Sequence, residues 1–433
     1  MIRRLPGWHF DRRLALALVV FFVITPRLLI GQRSYLDSPR VGDAIGISAH
    51  FIEPHFPKSG EMKLMADAGF GWVRTDLTWE NTEGPAGPDF SYYDRLLAEF
   101  DRYHIHPIFI LCYRNSRWKR GPSFSTDAER GAFGRWAAAA VGHFRGRGIY
   151  WEIYNEPNNQ MFWEPNPEPD NYTKLAIATA RAIRDIAPGE KIIGPATSGI
   201  DLEFLERCFS ASLLNYLYAV SVHPYRHTNP ETVEHDYASL RRLIEKYEPK
   251  GKTTPIVSSE WGYSSVWEDY SETGQRRKFD LSDESQGKLL ARQVLTNIAS
   301  GVQVSIWYDW SDDVGVSNDE ERHFGIVHPV GAGFALKPAY LAAKTLTSVL
   351  NVYRLDRRID VDSANDHVLL FRNNKSMRYA AWTTSTPHDM HLPIKPGKYQ
   401  IIDWRGRVIS HRIASGSGLV VSLSDAPQYL VPE

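Results

Sequence analysis

The chain has 433 residues, too many for one ordinary small domain and enough for a large domain with a smaller companion. With 43% hydrophobic and 23% charged residues it can build a normal globular core, and a formal net charge of -1 gives no basis for nucleic acid as a partner. The two cysteines, Cys112 and Cys208, rule out a disulfide framework; with no second cysteine or histidine at ligand spacing they read as buried thiols rather than metal ligands.

The N-terminus differs from the rest. Arg3, Arg4, Arg12 and Arg13 precede the apolar run LALALVVFFVI, Leu14 to Ile24. A basic flank before an apolar run is the pattern of an export signal. No small-x-small cleavage site follows, so the reading is an uncleaved anchor. The run is shorter than the about 20 residues of a normal span. The anchor is therefore drawn over 14–30, with Arg27 snorkelling to the interface. A basic segment at 1–13 in the cytoplasm places the body of the protein beyond the membrane, in the periplasm. A linker spans 31–40. The competing reading is a cleaved signal peptide and secretion.

From Val41 onward, strand-like apolar runs alternate with helical patterns. VGDAIGISAHF is followed by a helix over Glu61 to Ala68, then GWVRTDLTWE. The helical YYDRLLAEFDRY precedes HIHPIFILCYRN, and the alanine-rich RGAFGRWAAAAVGHF precedes GIYWEIYNEP. NYTKLAIATARAIRDI, KIIGPATS, a short helix near Leu202 to Cys208 and LYAVSVHPYR come next. ETVEHDYASLRRLIEKY has apolar residues at three- and four-residue spacing, a helix, and leads into TTPIVSSEWGYSS. A helix around Gln286 to Ser300, VQVSIWYDWSDD and ALKPAYLAAKTLTSVL complete the series. Eight strand–helix units predict a closed (β/α)8 TIM barrel over 41–349, an α/β fold. An open doubly wound sheet would show a glycine-rich phosphate loop after its first strand, where this chain has SAHFIEPHFP. Beyond residue 350, short strand-like runs separated by Asn-Asn, Pro-Gly and Gly-Ser-Gly turns predict an antiparallel β-sandwich over 350–433. That domain either binds glycan or covers the barrel flank, and the second reading is preferred.

Barrel chemistry sits at the C-terminal ends of the strands. Among 51 acidic residues, that rule selects Glu156 and Glu260. Glu156 closes the fourth strand in YWEIYNEP, where the following proline biases it toward extended backbone. Glu260 closes the seventh in PIVSSEWGY. A barrel brings both ends to one rim, and two carboxylates flanking a sugar are the machinery of glycoside hydrolysis. Glu152 lies two residues deeper and is read as a buried structural acid paired with an arginine. By strand alternation it shares a face with Tyr154 and Glu156. Asp309, Asp312 and Asp313 are expected to line the cleft or to be solvated. Trp79, Trp118, Phe162, Trp163, Trp261, Trp267 and Trp310 fall in or near rim loops, where aromatic faces can pack on sugar rings. About half are expected to touch ligand, with Trp163 and Trp261 among them.

YNEPN with downstream FW, and SSEWGY, resemble the acid/base and nucleophile motifs of clan A glycoside hydrolases. NEPNNQMFWEPNPEPDNYTKL and the trailing sandwich resemble family 39 and its relatives, and the anchored form is similar to endoglycosidases encoded with bacterial exopolysaccharide synthesis. The resemblance implies a retaining enzyme with Glu156 as acid/base and Glu260 as nucleophile. It implies that Asn155 bonds the sugar 2-hydroxyl, that Arg74 braces the nucleophile and that Tyr225 donates to it. His223 is placed in the active site beside Tyr225, and Trp307 as the floor of the sugar site. Like-charge repulsion from Glu260 is expected to raise the pKa of Glu156. No metal or organic cofactor is called for, because two carboxylates supply both acid and nucleophile. The expected partners are a polysaccharide or oligosaccharide substrate, the inner membrane, and the machinery of exopolysaccharide synthesis or export. Three alternatives stand beside endo-action: an exo-acting β-xylosidase-like enzyme, transglycosylation, and a glycan-binding protein without hydrolysis.

Overall fold

The computed structural model describes residues 38–118, 123–266, 281–313, 320–330 and 333–433. Residues 1–13, the anchor drawn over 14–30, most of the 31–40 linker, and Trp267 lie outside the described residues. Among the described residues no helix is long and apolar enough to cross a membrane.

Eight parallel strands close into a barrel in which each strand pairs with its sequence neighbours and the last with the first. They are β1 (Ile45–Ser48), β2 (Trp72–Thr78), β3 (His106–Cys112), β4 (Tyr150–Ile153), β5 (Lys191–Ser198), β6 (Ala219–His223), β7 (Ile256–Trp261) and β8 (Val304–Trp307). The helices that follow them are α1 (Glu61–Asp67), α2 (Ser91–Arg102), α3 (Asp127–Phe144), α4 (Pro169–Ile186), α5 (Leu202–Ser210), α6 (Val233–Tyr247), α7 (Asp283–Ala299) and α8 (Pro338–Leu350). Their starts are written in the sequence. Thr126 and Glu129 form a reciprocal capping box on α3, Asp201 caps α5, and Pro169 opens α4 where no N–H is needed.

Strand alternation sorts the barrel side chains into two sets. On β2, Val73 and Leu77 pack outward against the helices, while Trp72, Arg74 and Asp76 point inward. Trp72, Ile108, Tyr150, Ile193, Ala219, Val257, Val304 and Ile306 fill the N-terminal end of the barrel with an apolar plug. The polar groups are thereby confined to the C-terminal mouth.

The strands of the C-terminal sandwich are β9 (Arg354–Arg358), β10 (Asp366–Arg372), β11 (Met377–Thr383), β12 (His388–Leu392), β13 (Gly397–Ile402), β14 (Val408–Ala414), β15 (Leu419–Leu423) and β16 (Gln428–Pro432). A six-stranded sheet, ordered β9-β10-β11-β16-β13-β14, faces the β12-β15 pair. Alternate residues serve two cores. Val368, Leu370, Tyr379, Ala381 and Leu430 pack with Leu392, Val421 and Leu423 inside the sandwich. Their sequence neighbours Leu369, Phe371, Ala380, Trp382 and Tyr429 join the barrel core. Both faces of the larger sheet's central strands β10, β11 and β16 are therefore buried, one of them on the barrel.

Candidate active site

The strand β4 ends at Ile153, and the chain turns sharply after it. Tyr154 and Glu156 have positive φ, 69° and 44°, a left-handed geometry that non-glycine residues seldom adopt and that concentrates at functional sites. The turn corrects the alternation reading. Tyr154 swings out of the barrel into a ring cluster with Tyr113, Phe124 and Trp163, and its hydroxyl donates to the Phe162 carbonyl. Glu156 is carried over the mouth, its N–H bonded to the Ala196 carbonyl of β5.

Arg74 organises the site. Its Nε donates to Glu152 Oε2 at 2.7 Å, Nη1 to Glu260 Oε2 at 2.5 Å and Nη2 to Asn155 Oδ1 at 2.8 Å. Glu152 is wholly buried and ion-paired with an arginine, the structural acid anticipated from the sequence. Burial disfavours its charge, but Arg74 outweighs that and lowers its pKa. Tyr225 donates its hydroxyl to Glu260 Oε1 at 2.9 Å. Burial, then the Glu260 charge, push that hydroxyl well above the usual phenol range, so it remains a donor. Glu260 thus has one oxygen on a guanidinium and the other on a phenol.

His223 Nδ1 lies 2.9 Å from Glu156 Oε1, and its Nε2 lies 3.1 Å from Ser259 Oγ and 3.3 Å from Arg74 Nη2. A guanidinium can only donate. With Nε2 facing that donor, Nδ1 is the nitrogen that donates to Glu156. Asn159 donates to the other oxygen, Oε2, at 3.0 Å. These bonds overturn the expected upward shift of Glu156. Burial does push its carboxyl up, but His223, Asn159 and the Arg74 charge outweigh burial and hold it below the usual range. The physical reason is that donors and the Arg74 charge surround Glu156 and outweigh any repulsion between the two carboxylates.

An oxygen of Glu156, an oxygen of Glu260 and a ring nitrogen of His223 lie within 4.8 Å of one another. Such a trio could in principle hold a cation, but the Arg74 guanidinium already occupies one face of Glu260 with positive charge.

The structure brings Arg74, Asn155, His223 and Tyr225 together around the two glutamates. It corrects the three tryptophans proposed to touch sugar. Trp163 and Trp307 are 1% exposed and Trp261 is 0% exposed, so none offers a ring face to the cleft. Trp163 packs on Tyr154 and Tyr172, Trp261 lies beneath the Arg226 guanidinium, and Trp307 bonds the Phe324 carbonyl. Trp79 and Trp310 are buried as well; among the described tryptophans and Phe162 of the rim set, only Trp118 and Phe162 retain surface. Asp312 is not solvated: it is buried against Lys337 at 3.1 Å and His328 at 2.7 Å. Asp309 is half-buried and Asp313 exposed.

Other residues join the site without a sequence signal. Tyr308 is partly exposed one residue beyond β8, with its ring against Tyr225 and His50. Gly262 makes that possible, because a Cβ there would lie 1.8 Å from the Tyr308 carbonyl oxygen. His50, at the end of β1, pairs with Asp76 at 3.3 Å. Its position at the mouth disfavours charge, yet Asp76, with Asp309 and Glu260, raises its pKa to about 9. Burial and the neighbouring carboxylates push Asp309 up to about 8.

Proteins of known structure share this architecture. A family 39 glycoside hydrolase from the gut symbiont Bacteroides cellulosilyticus WH2 superposes with a TM-score of 0.76 at 22% identity, over 92% of this chain and 82% of that one. A family 39 β-xylosidase from Caulobacter crescentus gives 0.62 at 18% identity, over 92% and 97%. A family 30 endoxylanase from Clostridium papyrosolvens C71 gives 0.62 at 10% identity, over 92% and 97%. The neighbours are glycoside hydrolases; at these identities the likeness establishes the fold. No family's sequence profile matches the chain.

Proposed function

We propose that the protein is a retaining glycoside hydrolase that cuts within a bacterial exopolysaccharide. The observation that carries the reading is the pair of Glu156, in the turn after β4, and Glu260, on β7, with carboxylate oxygens within 4.8 Å. Retaining enzymes hold their carboxyl groups about 5–5.5 Å apart, whereas inverting ones leave about 6.5–9.5 Å for a water.

Glu260 attacks the anomeric carbon while Glu156 gives its proton to the departing oxygen, so the glycosidic bond breaks as the ester bond forms. Water then attacks the anomeric carbon held in that ester. Glu156, now a carboxylate, takes the water's proton, and Glu260 leaves. Arg74 and Tyr225 hold and aim the two oxygens of Glu260. His223 and Asn159 favour the carboxylate of Glu156, the form required in the second half.

Endo-action has its own support. Rim residues Thr78, Glu80, Asn81, Tyr113, Arg114 and Ser116 line a cavity of about 420 Å³, within the about 300–1,000 Å³ of ligand pockets. The Tyr113 ring stacks on Phe162 at 5.7 Å, next to the turn that carries Glu156. That gives room for sugar beyond the residue at the catalytic pair. The basic segment 1–13 and apolar stretch 14–30 support anchoring in the bacterial inner membrane with the barrel in the periplasm, where nascent polysaccharide and its synthesis or export machinery meet it. The β-xylosidase among the structural neighbours supports the second reading, exo-trimming by the same catalytic pair.

The test is digestion of bacterial exopolysaccharides by the chain lacking residues 1–37, with products sized by mass spectrometry and Glu260→Gln as control. Oligosaccharides absent from the control digest are expected. Monosaccharides alone would favour exo-trimming, and bound but uncut polysaccharide would favour a binding protein.

A further inference from the structure

The loop between β6 and α6 carries Tyr225, and the sandwich reaches into that loop. Trp382 of β11 donates its indole N–H to Glu231 Oε1 at 2.6 Å. Glu231 sits in the single 3-10 turn Pro230–Thr232 that ends the loop. Arg292 of α7 grips the same carboxylate twice, Nε to Oε1 at 2.8 Å and Nη2 to Oε2 at 2.7 Å. Glu231 and Arg292 are nearly wholly buried, with side-chain exposures of 8% and 5%. His367 stacks flat on Trp382, 4.9 Å between centroids and 7° between planes, so the indole has one orientation. Arg358 of β9 bonds His367 at 3.0 Å and Glu234 in the first turn of α6 at 3.0 Å, a second tie from the sandwich.

The grip passes back along the loop to the site. Thr232, next to Glu231, accepts from Arg226 Nη1 at 3.1 Å. Arg226 also donates to the Pro224 carbonyl at 3.2 Å and to Asp236 at 3.1 Å, and its guanidinium lies 5.5 Å from the centre of the Trp261 ring. The Tyr263 hydroxyl holds the Thr228 carbonyl at 2.8 Å. Tyr225, between Pro224 and Arg226, donates to Glu260 at 2.9 Å.

Apolar contact alone would dock the sandwich, and the barrel-facing rows of β10 and β11 already provide it. A buried carboxylate held by donors from both domains adds a desolvation cost that simple docking does not require, and what such a group contributes is a fixed geometry. We infer that the sandwich is a positioning element of the active site: Trp382, through Glu231, sets the 224–232 loop and with it the Tyr225 hydroxyl on Glu260. The catalytic consequence rests on the glycosidase reading; the mechanical one does not.

The experiment uses the Trp382→Phe variant, which keeps an aromatic ring against His367 and removes the N–H donor along with part of the indole's volume, with Glu231→Gln beside it as the variant that leaves the ring intact. Hydrogen exchange is followed by mass spectrometry. Peptides covering 224–232 are expected to exchange on the order of tenfold faster, as for loss of one hydrogen bond to a charged acceptor, with barrel-floor peptides of β4 and β5 unchanged. On any glycan the wild type cleaves, kcat falls more than KM changes. Adding Trp382→Phe to Tyr225→Phe then gives little further loss, because both act on one contact. Unchanged exchange at 224–232 in the folded variant overturns the inference, as do losses that simply add. Glu231→Gln serves the same readouts if Trp382→Phe does not fold. An inactive wild type would count against the glycosidase reading alone, and exchange would still decide this one.

Discussion

Arg74 Nε and Nη1 bond Glu152 and Glu260 at 2.7 and 2.5 Å, so one guanidinium joins a buried structural acid to the nucleophile proposed for the reaction. The arginine is buried because Glu152 compensates it, and being buried it addresses Glu260 from one direction only.

The pairing sets a stability expectation. Arg74→Met leaves Glu152 charged and alone in the barrel, which costs about 3–5 kcal/mol for a broken buried pair. Arg74→Met with Glu152→Gln is expected to recover most of that stability while activity stays lost. Denaturant unfolding of both variants checks it; equal stability of the single and double variants would contradict the pairing.

A second expectation concerns pH. His223 donates to Glu156 and favours its carboxylate. Removing the donor with His223→Phe raises the Glu156 pKa. The acid step needs the protonated form, so the alkaline limb of kcat/KM moves to higher pH as the overall rate falls. A pH–rate profile with an activated aryl glycoside reads the shift, and a limb that stays put or moves down would show that His223 does not tune Glu156.

Roles also separate by leaving group. Glu156→Gln is expected to slow glycosides of poor leaving groups by about 10²–10⁴-fold, the usual worth of general acid catalysis, and those of good leaving groups far less. Equal losses on both series would remove Glu156 from the acid role.

His367 gives an expectation for the sandwich contact. Burial, helped by the Arg358 charge, pushes its pKa down to about 4. Above about pH 6.5, the ordinary histidine value, folded and unfolded forms are both neutral and nothing is lost. As pH falls from there toward 4 the unfolded chain takes up a proton that the folded one refuses, so stability declines by about 3 kcal/mol. Thermal unfolding of His367→Asn across this window is expected to show a shallower decline than wild type.

The barrel and both glutamates were legible in the sequence because strand–helix alternation and strand ends are one-dimensional signals. Glu152 was legible for the same reason, by counting two residues back from Glu156. The tryptophans were not. Trp163, Trp261 and Trp307 have the residue type of a sugar platform, but spacing does not show on which side of a loop a ring lies, and each found a buried partner. Tyr154 escaped alternation because positive φ interrupts the strand there. Tyr308 and His50 meet only when the barrel closes, β1 against β8, and no local pattern marks that contact. The Trp382–Glu231 bond crosses domains and is likewise invisible along the chain.

The central claim is that Glu260 forms a covalent bond to sugar. It is tested most directly by incubating the protein with 2,4-dinitrophenyl 2-deoxy-2-fluoro-β-glycosides of xylose, glucose, galactose and mannose, then mapping any adduct by peptide mass spectrometry. The account predicts one glycosyl adduct on the peptide containing Glu260, absent from Glu260→Gln and released slowly on adding an acceptor sugar. An adduct on Glu156 instead, or hydrolysis of natural glycan with inversion at the anomeric carbon, would contradict it.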